Sequence, residues 1–219
     1  VIETNFRLSM RLLDWCTANS VPFVYASSAA TYGDGDQGFR DDESLAALKQ
    51  LRPMNLYGWS KHLFDLALIE RVAKGEKMPP QWAGLKFFNV FGPNEYHKGT
   101  MMSVLAKRFD DIREGRVVQL FKSHRDGIAD GDQRRDFIHV DDVVCVIMWL
   151  LATRSVSGLF NVGTGHARSF RDLILAAYSA LGTKPNVEYI DMPEQIRGSY
   201  QYFTQAEVDH LRGAGYNGG

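Results

Sequence analysis

Residues 21–26 read Val-Pro-Phe-Val-Tyr-Ala, a short apolar run whose residue types favour a buried strand. Its proline stands near the start, where no ladder hydrogen-bond donor is yet needed. Residues 57–73 carry apolar side chains at helical spacing, and residues 84–90 read Gly-Leu-Lys-Phe-Phe-Asn-Val, which predicts a second strand. Strand, helix and strand in this order predict an α/β fold with a parallel sheet and crossover helices.

The composition is that of a folded chain with little net charge. Of 219 residues, 45% are hydrophobic and 23% are charged, and the formal net charge is -1. This balance argues against nucleic acid or an anionic membrane as the main partner. No run of about 18 apolar residues predicts a membrane span, and no signal peptide is visible. Cys16 and Cys145 lie in apolar, helix-like segments, which favours core positions over a disulfide or a metal site and fits a cytoplasmic location.

The rest of the chain predicts a series of further elements. We expect helices over 5–16, 100–114, 141–151 and 169–181, and a short helix from 204. We expect strands over 117–121, 137–140, 159–162 and 187–190. A polar loop over 33–42 and a long loop over 123–135 complete the prediction. Asp141 and Asp142 suit the positive end of a helix dipole, and Ser169 suits an N-cap.

Tyr57 and Lys61 form the first candidate catalytic pair. Residues at i and i+4 share one face of a helix. A phenol is ordinarily a poor base at neutral pH, and a cation one turn away favours its phenolate form. The pair therefore suits proton exchange with a substrate hydroxyl while hydride leaves the same carbon. Taken alone, the spacing also occurs by chance, and an exposed helix pair is the simpler interpretation.

Three further candidates follow predicted strands. Ser28 and Asn89 lie at the carboxyl ends of strands, where parallel sheets bind their ligands. Arg135 could grip a pyrophosphate with two parallel hydrogen bonds. Taken singly, Ser28 fits the capping of a turn better than a catalytic role, and for Asn89 an ordinary strand-ending turn is the alternative. His139, close after Arg135, suits a structural role better than a catalytic one.

Four motifs in this order resemble the extended short-chain dehydrogenase/reductase family. They are Ser-Ala-Ala-Thr-Tyr-Gly (28–33), Tyr-x-x-x-Lys (57–61), Asn-Val-Phe-Gly-Pro (89–93) and Arg-Asp-Phe-Ile-His-Val (135–140). The resemblance implies an incomplete Rossmann-type, doubly wound parallel sheet that binds NAD(P) over residues 1–93 and about 136–165. It implies a smaller mixed α/β substrate domain over about 94–135 and 166–219. It also implies a catalytic triad of Ser28, Tyr57 and Lys61, with Lys61 holding the nicotinamide ribose.

Four stretches, 25–33, 88–101, 120–124 and 198–206, resemble more closely the branch of the family that epimerises ADP-heptose at C6. This resemblance implies transient oxidation and re-reduction with tightly held NADP (NAD is the alternative), in a cytoplasmic homo-oligomer that serves lipopolysaccharide core synthesis. It makes Lys98 a second acid/base. If the cofactor stays fixed, the sugar carbon must present both faces, and one base cannot easily serve both oxygen positions. Without the resemblance, a phosphate-binding or solvent-exposed lysine is the simpler interpretation of Lys98.

The resemblance also assigns binding residues. The cofactor contacts that it implies are Asn5, Lys61, Val90 and Lys98. The contacts with a nucleotide-diphosphate sugar, ADP-heptose, that it implies are Asn89, Thr100, Lys107, Phe121, Lys122, Ser123, His124, Arg135 and Tyr200. Thr100 and Lys107 are seven residues apart on one predicted helix and could face the same pocket. Arg135 is the expected partner of the ADP diphosphate, and we expect no metal site.

No glycine-rich dinucleotide-binding motif stands near the first residue. We therefore expect the family's pyrophosphate-binding turn to precede Val1, the sheet to have an open edge, and the isolated 219-residue chain to be inactive. The alternatives are another nucleotide-sugar enzyme, such as a 4-epimerase or dehydratase, and a non-catalytic member. Ala29 and Ala30 stand where a dehydratase carries acidic residues, and the presence of Ser28, Tyr57 and Lys61 argues against a non-catalytic role.

Overall fold

The computed structural model describes residues 1–198 and 200–218. Ser199, part of the 198–206 stretch, and Gly219 lie outside the described residues. The strands are β1 (Phe23–Ser28), β2 (Trp82–Phe87), β3 (Asn89–Phe91), β4 (Val118–Phe121), β5 (Arg134–His139), β6 (Gly158–Val162), β7 (Ala167–Ser169) and β8 (Val187–Ile190). The α-helices are α1 (Leu8–Asn19), α2 (Leu45–Leu48), α3 (Leu56–Ala73), α4 (Val104–Arg113), α5 (Val140–Ala152), α6 (Phe170–Leu181), α7 (Glu194–Arg197) and α8 (Asp209–Gly213). A π-helix covers Glu3–Arg7, and 3-10 helices cover Ala29–Tyr32 and Tyr96–Met101.

The central sheet is parallel, as predicted. Within the described residues it has three strands in the order β1-β2-β6. The carboxyl ends of parallel strands meet at one edge of a sheet, which here places Ser28 beside Phe87 and Phe87 beside Val162. Apolar side chains of α1 and α3 pack on the sheet around Leu13, Phe64 and Leu68, and a second cluster packs beneath α5. The Rossmann-like α/β prediction is confirmed.

The polar loop after β1 covers the far edge of β6. Asp41 accepts a 2.7 Å hydrogen bond from the backbone N–H of Asn161, and Glu43 accepts one of 2.9 Å from that of Leu159. These two carboxylates occupy the strand donors that a further strand would otherwise pair with. The loop therefore closes this edge of the sheet.

The predicted strand over 84–90 is two strands, so the prediction of one is wrong. Phe88 stands between β2 and β3 with its side chain buried against the rings of Tyr32 and Phe39. After Phe88 the chain leaves the central sheet, and β3 pairs in parallel with β5, which pairs antiparallel with β7. The chain therefore passes from the central sheet to the second sheet at Phe88.

The predicted helix over 100–114 is also wrong at its start. Gly99 has φ +53°, which interrupts the helical path, and Ser103 caps α4 by accepting a hydrogen bond from the backbone N–H of Ala106. Thr100 therefore lies in the 3-10 segment before α4, and Lys107 lies within α4. The two residues do not share one helix.

Two other expectations are wrong. Residues 204–207 do not begin a helix, because Thr204 and Ala206 donate their backbone N–H groups to Arg134 and Asp136 of β5 instead. Helix α8 begins later, at Asp209. Cys145 is exposed on α5 rather than buried, whereas Cys16 is buried as expected. The short helices α2 and α7 had no clear signal in the sequence.

A separate apolar cluster lies under β4, β8, α4 and α6. Strands β4 and β8 pair in parallel, and Ile112, Ile174 and Tyr178 are buried against them. Ser169 is the N-cap of α6 as predicted, with a capping box completed by Asp172. This cluster coincides with much of the expected smaller domain, whose boundaries stay a prediction. Among the described residues, no helix is long and apolar enough to cross a membrane.

Candidate active site

Tyr57 and Lys61 lie in the first two turns of α3, at the carboxyl end of β1. Asn55 caps the helix by accepting a 2.8 Å hydrogen bond from the backbone N–H of Gly58. Lys61 Nζ donates a 2.8 Å hydrogen bond to the carbonyl of Ala26 and lies 5.9 Å from the centroid of the Tyr57 ring. The Tyr57 side chain is 47% exposed, so its phenol is open to a substrate. The structure thus brings the predicted phenol and ammonium together.

Gly58 brings α3 against the turn that follows Ser28. A Cβ atom at Gly58 would stand 2.6 Å from the carbonyl oxygen of Ala30, so any side chain there would force the helix or the turn to shift. Ser28 ends β1, and its Oγ accepts a 3.2 Å hydrogen bond from the backbone N–H of Ala30. The turn-capping role considered for Ser28 is therefore present. Ser28 and Tyr57 stand on elements in direct contact, and a bond from Ser28 to a substrate oxygen stays a prediction.

Lys61 is half-buried between β1 and its own helix. Burial lowers the pKa of its ammonium group, and the Asp65 carboxylate one turn further along α3 partly offsets this by raising it. The net shift is downward from the usual value of 10.5. The pKa of Lys61 is therefore raised by a buried carboxylate that the sequence motif does not include, against the larger effect of burial.

One further expected cofactor contact, Asn5, bonds to the helix that carries this pair. Asn5, in the π-helix, donates a 3.0 Å hydrogen bond from Nδ2 to Ser60 Oγ on α3. This bond joins the first turn of the chain to the helix that carries Tyr57 and Lys61. Val90 is half-buried in β3, paired with Ile138 of β5.

One cavity of ≈ 270 Å³ joins three of the expected substrate contacts. Asn89, Arg135 and Tyr200 reach it from β3, from β5 and from the segment after α7. Its full lining is Ala30, Gly33, Met54, Asn55, Asn89, Arg135, Tyr200 and Gln201. Since Asn55 caps α3 and Ala30 contacts Gly58, the cavity opens beside the Tyr57 turn.

Arg135 is held between two aromatic rings at the wall of this cavity. Its guanidinium carbon lies 5.5 Å from the centroid of Phe170 and 5.2 Å from that of Tyr200. It donates to the carbonyl groups of Arg134 and Gln201. Burial lowers the pKa of Arg135, which is 6% exposed, and burial raises the pKa of the Tyr200 phenol. A guanidinium carries five N–H donors, so the two carbonyl bonds leave capacity for an anion.

A smaller cavity of ≈ 140 Å³ lies on the other side of Tyr200. It brings together Lys107, Phe121 and Tyr200, with the rings of Phe121 and Tyr200 edge to face at 6.2 Å. Its remaining lining residues are Val104, Arg108, Gln119, Leu120, Gln133 and Phe170. Tyr200 lines both cavities, and we refer to the two cavities together as the cleft.

Four expected substrate contacts lie outside both cavity linings. Thr100 is exposed in the 3-10 segment. Lys122 Nζ lies 3.5 Å from the Asp191 carboxylate, and Ser123 bonds within its own loop, to Asp130 and Arg125. His124 Nε2 accepts a 3.3 Å hydrogen bond from the backbone of Met192. Contacts within the chain thus account for the observed bonds of Lys122, Ser123 and His124. Their role in substrate binding stays a prediction.

Lys98 forms an ion pair with Glu95. Their charged groups are 3.3 Å apart, and the Glu95 carboxylate also accepts bonds from Ser103 and from the backbone of Gly92. Burial raises the pKa of Glu95, but the hydrogen bonds from Ser103, Lys98 and Gly92 outweigh it, and the net shift is downward. Glu95 is therefore an ionised anchor, and it holds the Lys98 ammonium by an ion pair.

Some residues of the site region escaped the sequence analysis or were correctly set aside. His139 caps α5, accepting a 3.3 Å hydrogen bond from Asp141, which fits the structural role expected for it. Asp65 and Lys86 form a completely buried ion pair of 3.0 Å beneath α3. Two signals were available: a lysine inside the apolar strand, and an acidic residue eight positions after Tyr57 on the same helical face. Neither signal identifies its partner.

These features define a Rossmann-like fold with a tyrosine–lysine pair at a strand end and a cleft that holds a buried arginine. A sequence model of the NAD dependent epimerase/dehydratase family matches residues 1–163. The chain therefore belongs to the NAD-dependent epimerase/dehydratase family.

Particular relatives are closer still. The chain is 51% identical over 215 residues to an ADP-L-glycero-D-manno-heptose-6-epimerase of Nitratidesulfovibrio vulgaris, covering 98% of this chain and 64% of the relative. It is 44% identical over 222 residues to the enzyme of the same name from Fusobacterium nucleatum, covering 99% of this chain and 66% of the relative. The chain thus spans about two thirds of the length of the curated relatives that it matches.

Solved structures agree with the fold. The crystal structure of Helicobacter pylori ADP-L-glycero-D-manno-heptose-6-epimerase aligns with a TM-score of 0.74 and 26% identity, covering 96% of this chain and 58% of that one. The Thermus thermophilus UDP-glucose 4-epimerase complex with NAD aligns with a TM-score of 0.72 and 26% identity, covering 97% and 64%.

Proposed function

We propose that the complete protein containing this chain is an epimerase that interconverts ADP-D-glycero-D-manno-heptose and ADP-L-glycero-D-manno-heptose at C6. The observation that carries the choice of sugar is the 44–51% identity to relatives of that name over nearly all of this chain. The tyrosine–lysine pair at the end of β1 supports the reaction class, because it suits proton exchange with a sugar hydroxyl.

The residues of this chain act on the C6 hydroxyl. Tyr57, as phenolate, accepts the hydroxyl proton while the C–H bond breaks, and Lys61 stabilises the negative phenol oxygen. Ser28 donates a hydrogen bond to the same oxygen. A bound nicotinamide cofactor would supply the hydride transfer at this carbon, while Tyr57, Lys61 and Ser28 hold and move the proton at its oxygen.

The half-buried ammonium of Lys61 supports a place for the nicotinamide ribose. An ammonium group has three N–H donors, and the carbonyl of Ala26 takes one of them. The others can serve ribose hydroxyls, with Asn5, Val90 and Lys98 as further contacts. We propose NADP as the cofactor and keep NAD as the alternative, since the solved 4-epimerase relative is described with NAD.

Lys98 is proposed as the second acid/base. Its side-chain nitrogen lies 3.3 Å from the Glu95 carboxylate, which would hold it in place to give a proton to the oxygen during re-reduction. Tyr57 and Lys98 would thus serve the two positions that the oxygen takes when the carbon inverts.

The cleft supports the binding of an ADP-sugar. Arg135 and Tyr200 would meet the diphosphate, Asn89 the sugar, and the edge-to-face rings of Tyr200 and Phe121 beside Lys107 the nucleoside side. Thr100, Lys122, Ser123 and His124 stay in the proposal as contacts that rest on the resemblance. A homo-oligomeric state, a cytoplasmic location and a role in lipopolysaccharide core synthesis also belong to the proposal.

The test is turnover of ADP-D-glycero-D-manno-heptose by the complete protein encoded by the gene of this chain. We expect Tyr57→Phe and Lys98→Met each to lower kcat by about 100-fold or more, and the exposed control Lys77→Met to leave it unchanged. An undiminished Lys98→Met enzyme contradicts the two-base mechanism. Preferred turnover of UDP-glucose over ADP-heptose contradicts the choice of sugar.

A further inference from the structure

We propose that Asp65 and Lys86, the ion pair beneath α3, are positioning residues for Tyr57 and Lys61. The pair fixes where these two side chains of α3 lie relative to β1, and its carboxylate favours the charged form of Lys61. This inference rests on the proposed function, because that function assigns Tyr57 and Lys61 their catalytic roles.

Asp65 ties α3 to both neighbouring strands. Its Oδ1 accepts a 2.8 Å hydrogen bond from the Tyr25 hydroxyl, and its Oδ2 accepts bonds of 2.7 Å from Ser27 and 3.0 Å from Lys86. Lys86 also donates a 2.8 Å hydrogen bond to Thr31 Oγ1. Both charged side chains are 0% exposed, so every bond is made without competition from water.

The helical phase links this network to the catalytic pair. Tyr57, Lys61 and Asp65 follow one another at four-residue intervals, so they share one face of α3. Asp65 holds Tyr25 and Ser27, and Lys61 bonds to Ala26 between them. Three consecutive residues of β1 are therefore attached to one face of α3. The residue that follows them is Ser28, so the network sets the position of Tyr57 relative to Ser28.

A purely structural role would not require charges. A well-packed apolar pair commonly holds two elements as firmly as a buried ion pair does. Here the carboxylate of Asp65 also favours the charged form of Lys61 one turn away, and Lys86 moderates that effect by balancing Asp65. The titratable and charged groups nearest Lys61 on its own helix are Tyr57 and Asp65, with neutral, buried His62 next to it in sequence. Tyr25 on β1 and Lys86 on β2 bond to Asp65 from the packed strands.

The test compares Asp65→Asn, Lys86→Met and the double variant in the complete protein, with cofactor. Because Lys61 must stay charged, activity falls at alkaline pH as it loses its proton. Asp65→Asn should lower kcat by about 10- to 100-fold with little change in KM, and move the alkaline limb of the kcat–pH profile to lower pH. Lys86→Met leaves Asp65 unbalanced and should move the limb to higher pH. The double variant should return the limb close to that of the wild type.

A second measurement does not depend on catalysis. Nuclear magnetic resonance titration of 13C-labelled lysine side chains follows the Lys61 ammonium directly, so it decides the inference even if the wild type does not epimerise ADP-heptose. A wild type that does not epimerise ADP-heptose would contradict the proposed function and leave this inference to be decided by the titration. Opposite shifts in the two single variants support the positioning role. Shifts in the same direction, no shift, or an unchanged kcat overturn it. If Asp65→Asn does not fold, two other variants test the inference. Lys86→Met must raise the pH at which Lys61 loses its proton, and Ser27→Ala must lower kcat.

Discussion

Gly58 lies so close to Ala30 that a Cβ atom would stand 2.6 Å from the Ala30 carbonyl oxygen. This contact joins the first turn of α3 to the turn after β1, and so joins the residue after Tyr57 to the second residue after Ser28. The glycine has no unusual φ angle, so space alone requires it. The spacing between the Ser28 and Tyr57 hydroxyls therefore depends on the absence of a side chain at Gly58.

Gly58→Ala should push α3 away from this turn. We expect a loss of about 1–3 kcal/mol in the free energy of unfolding, together with a lower kcat, because the helix must shift to relieve the overlap. Urea unfolding measures the first effect. Gly213→Ala is the matched control, since Gly213 is also helical but its Cβ position meets no atom within 4 Å. Equal stability of the two variants would contradict the packing account.

Asp136 should be essential to the structure that surrounds Arg135. Its carboxylate accepts bonds of 2.7–2.9 Å from the backbone of Thr164, Gly165 and Ala206 and from the Thr164 hydroxyl. Asp136→Asn places an N–H₂ donor against these donors and should cost about 2–4 kcal/mol in unfolding free energy. Thermal or urea unfolding measures it, with the exposed Asp141→Asn as control. A loss no larger than that of the control would refute this role.

His62 should make the protein lose stability as the solution becomes acidic. Burial, followed by the nearby Lys86 charge, lowers the pKa of His62 from 6.5 to about 4. The unfolded chain therefore binds a proton between these values while the folded chain does not. The contribution of neutral His62 is complete above pH 6.5 and is lost as pH falls toward about 4. The full loss is about 3 kcal/mol.

Urea unfolding across this pH range measures the effect of His62. His62→Gln cannot take up the proton, so its stability should fall less steeply with pH than that of the wild type. His97→Gln, at an exposed site, should keep the wild-type slope. Parallel slopes for the wild type and His62→Gln would show that another group carries the dependence.

Arg135 should contribute to the affinity for an ADP-sugar through its planar group and not only its charge. Arg135→Lys keeps the charge but loses the flat face between Phe170 and Tyr200 and the fork of donors. We expect the Kd for ADP, measured by calorimetry on the complete protein, to rise about 10- to 100-fold. Arg134→Lys, at the neighbouring exposed position, is the control. Equal Kd values for the two variants would place the diphosphate elsewhere.

Local patterns predicted the elements that carry the catalytic pair. The apolar spacing over 57–73 fits α3, and Ser169 is the N-cap of α6 as expected. The patterns failed where a contact with distant residues, or a break inside an apparently continuous helix, decides the path. The side chain of Phe88 moves the chain to another sheet because Tyr32 and Phe39 receive it, and Gly99 and Ser103 end one helix and start the next before Lys107.

The candidate site was predictable in its motifs and not in its contacts. Tyr57 and Lys61 are one turn apart, so helical geometry alone brings them together. Arg135 meets the carbonyl of Gln201, 66 residues away in sequence, and Lys86 meets Asp65 across a helix–sheet interface. No spacing in a single sequence identifies such partners, because the fold creates these contacts.

The assignment of Tyr57 as the proton acceptor is tested most directly by rapid mixing of the complete protein and its bound cofactor with ADP-heptose. The absorbance of reduced nicotinamide follows the first half of the reaction. The wild type should show transient reduction, and Tyr57→Phe should show at least about 100-fold slower reduction with the same affinity for ADP-heptose. Reduction at the wild-type rate in Tyr57→Phe would contradict the assignment.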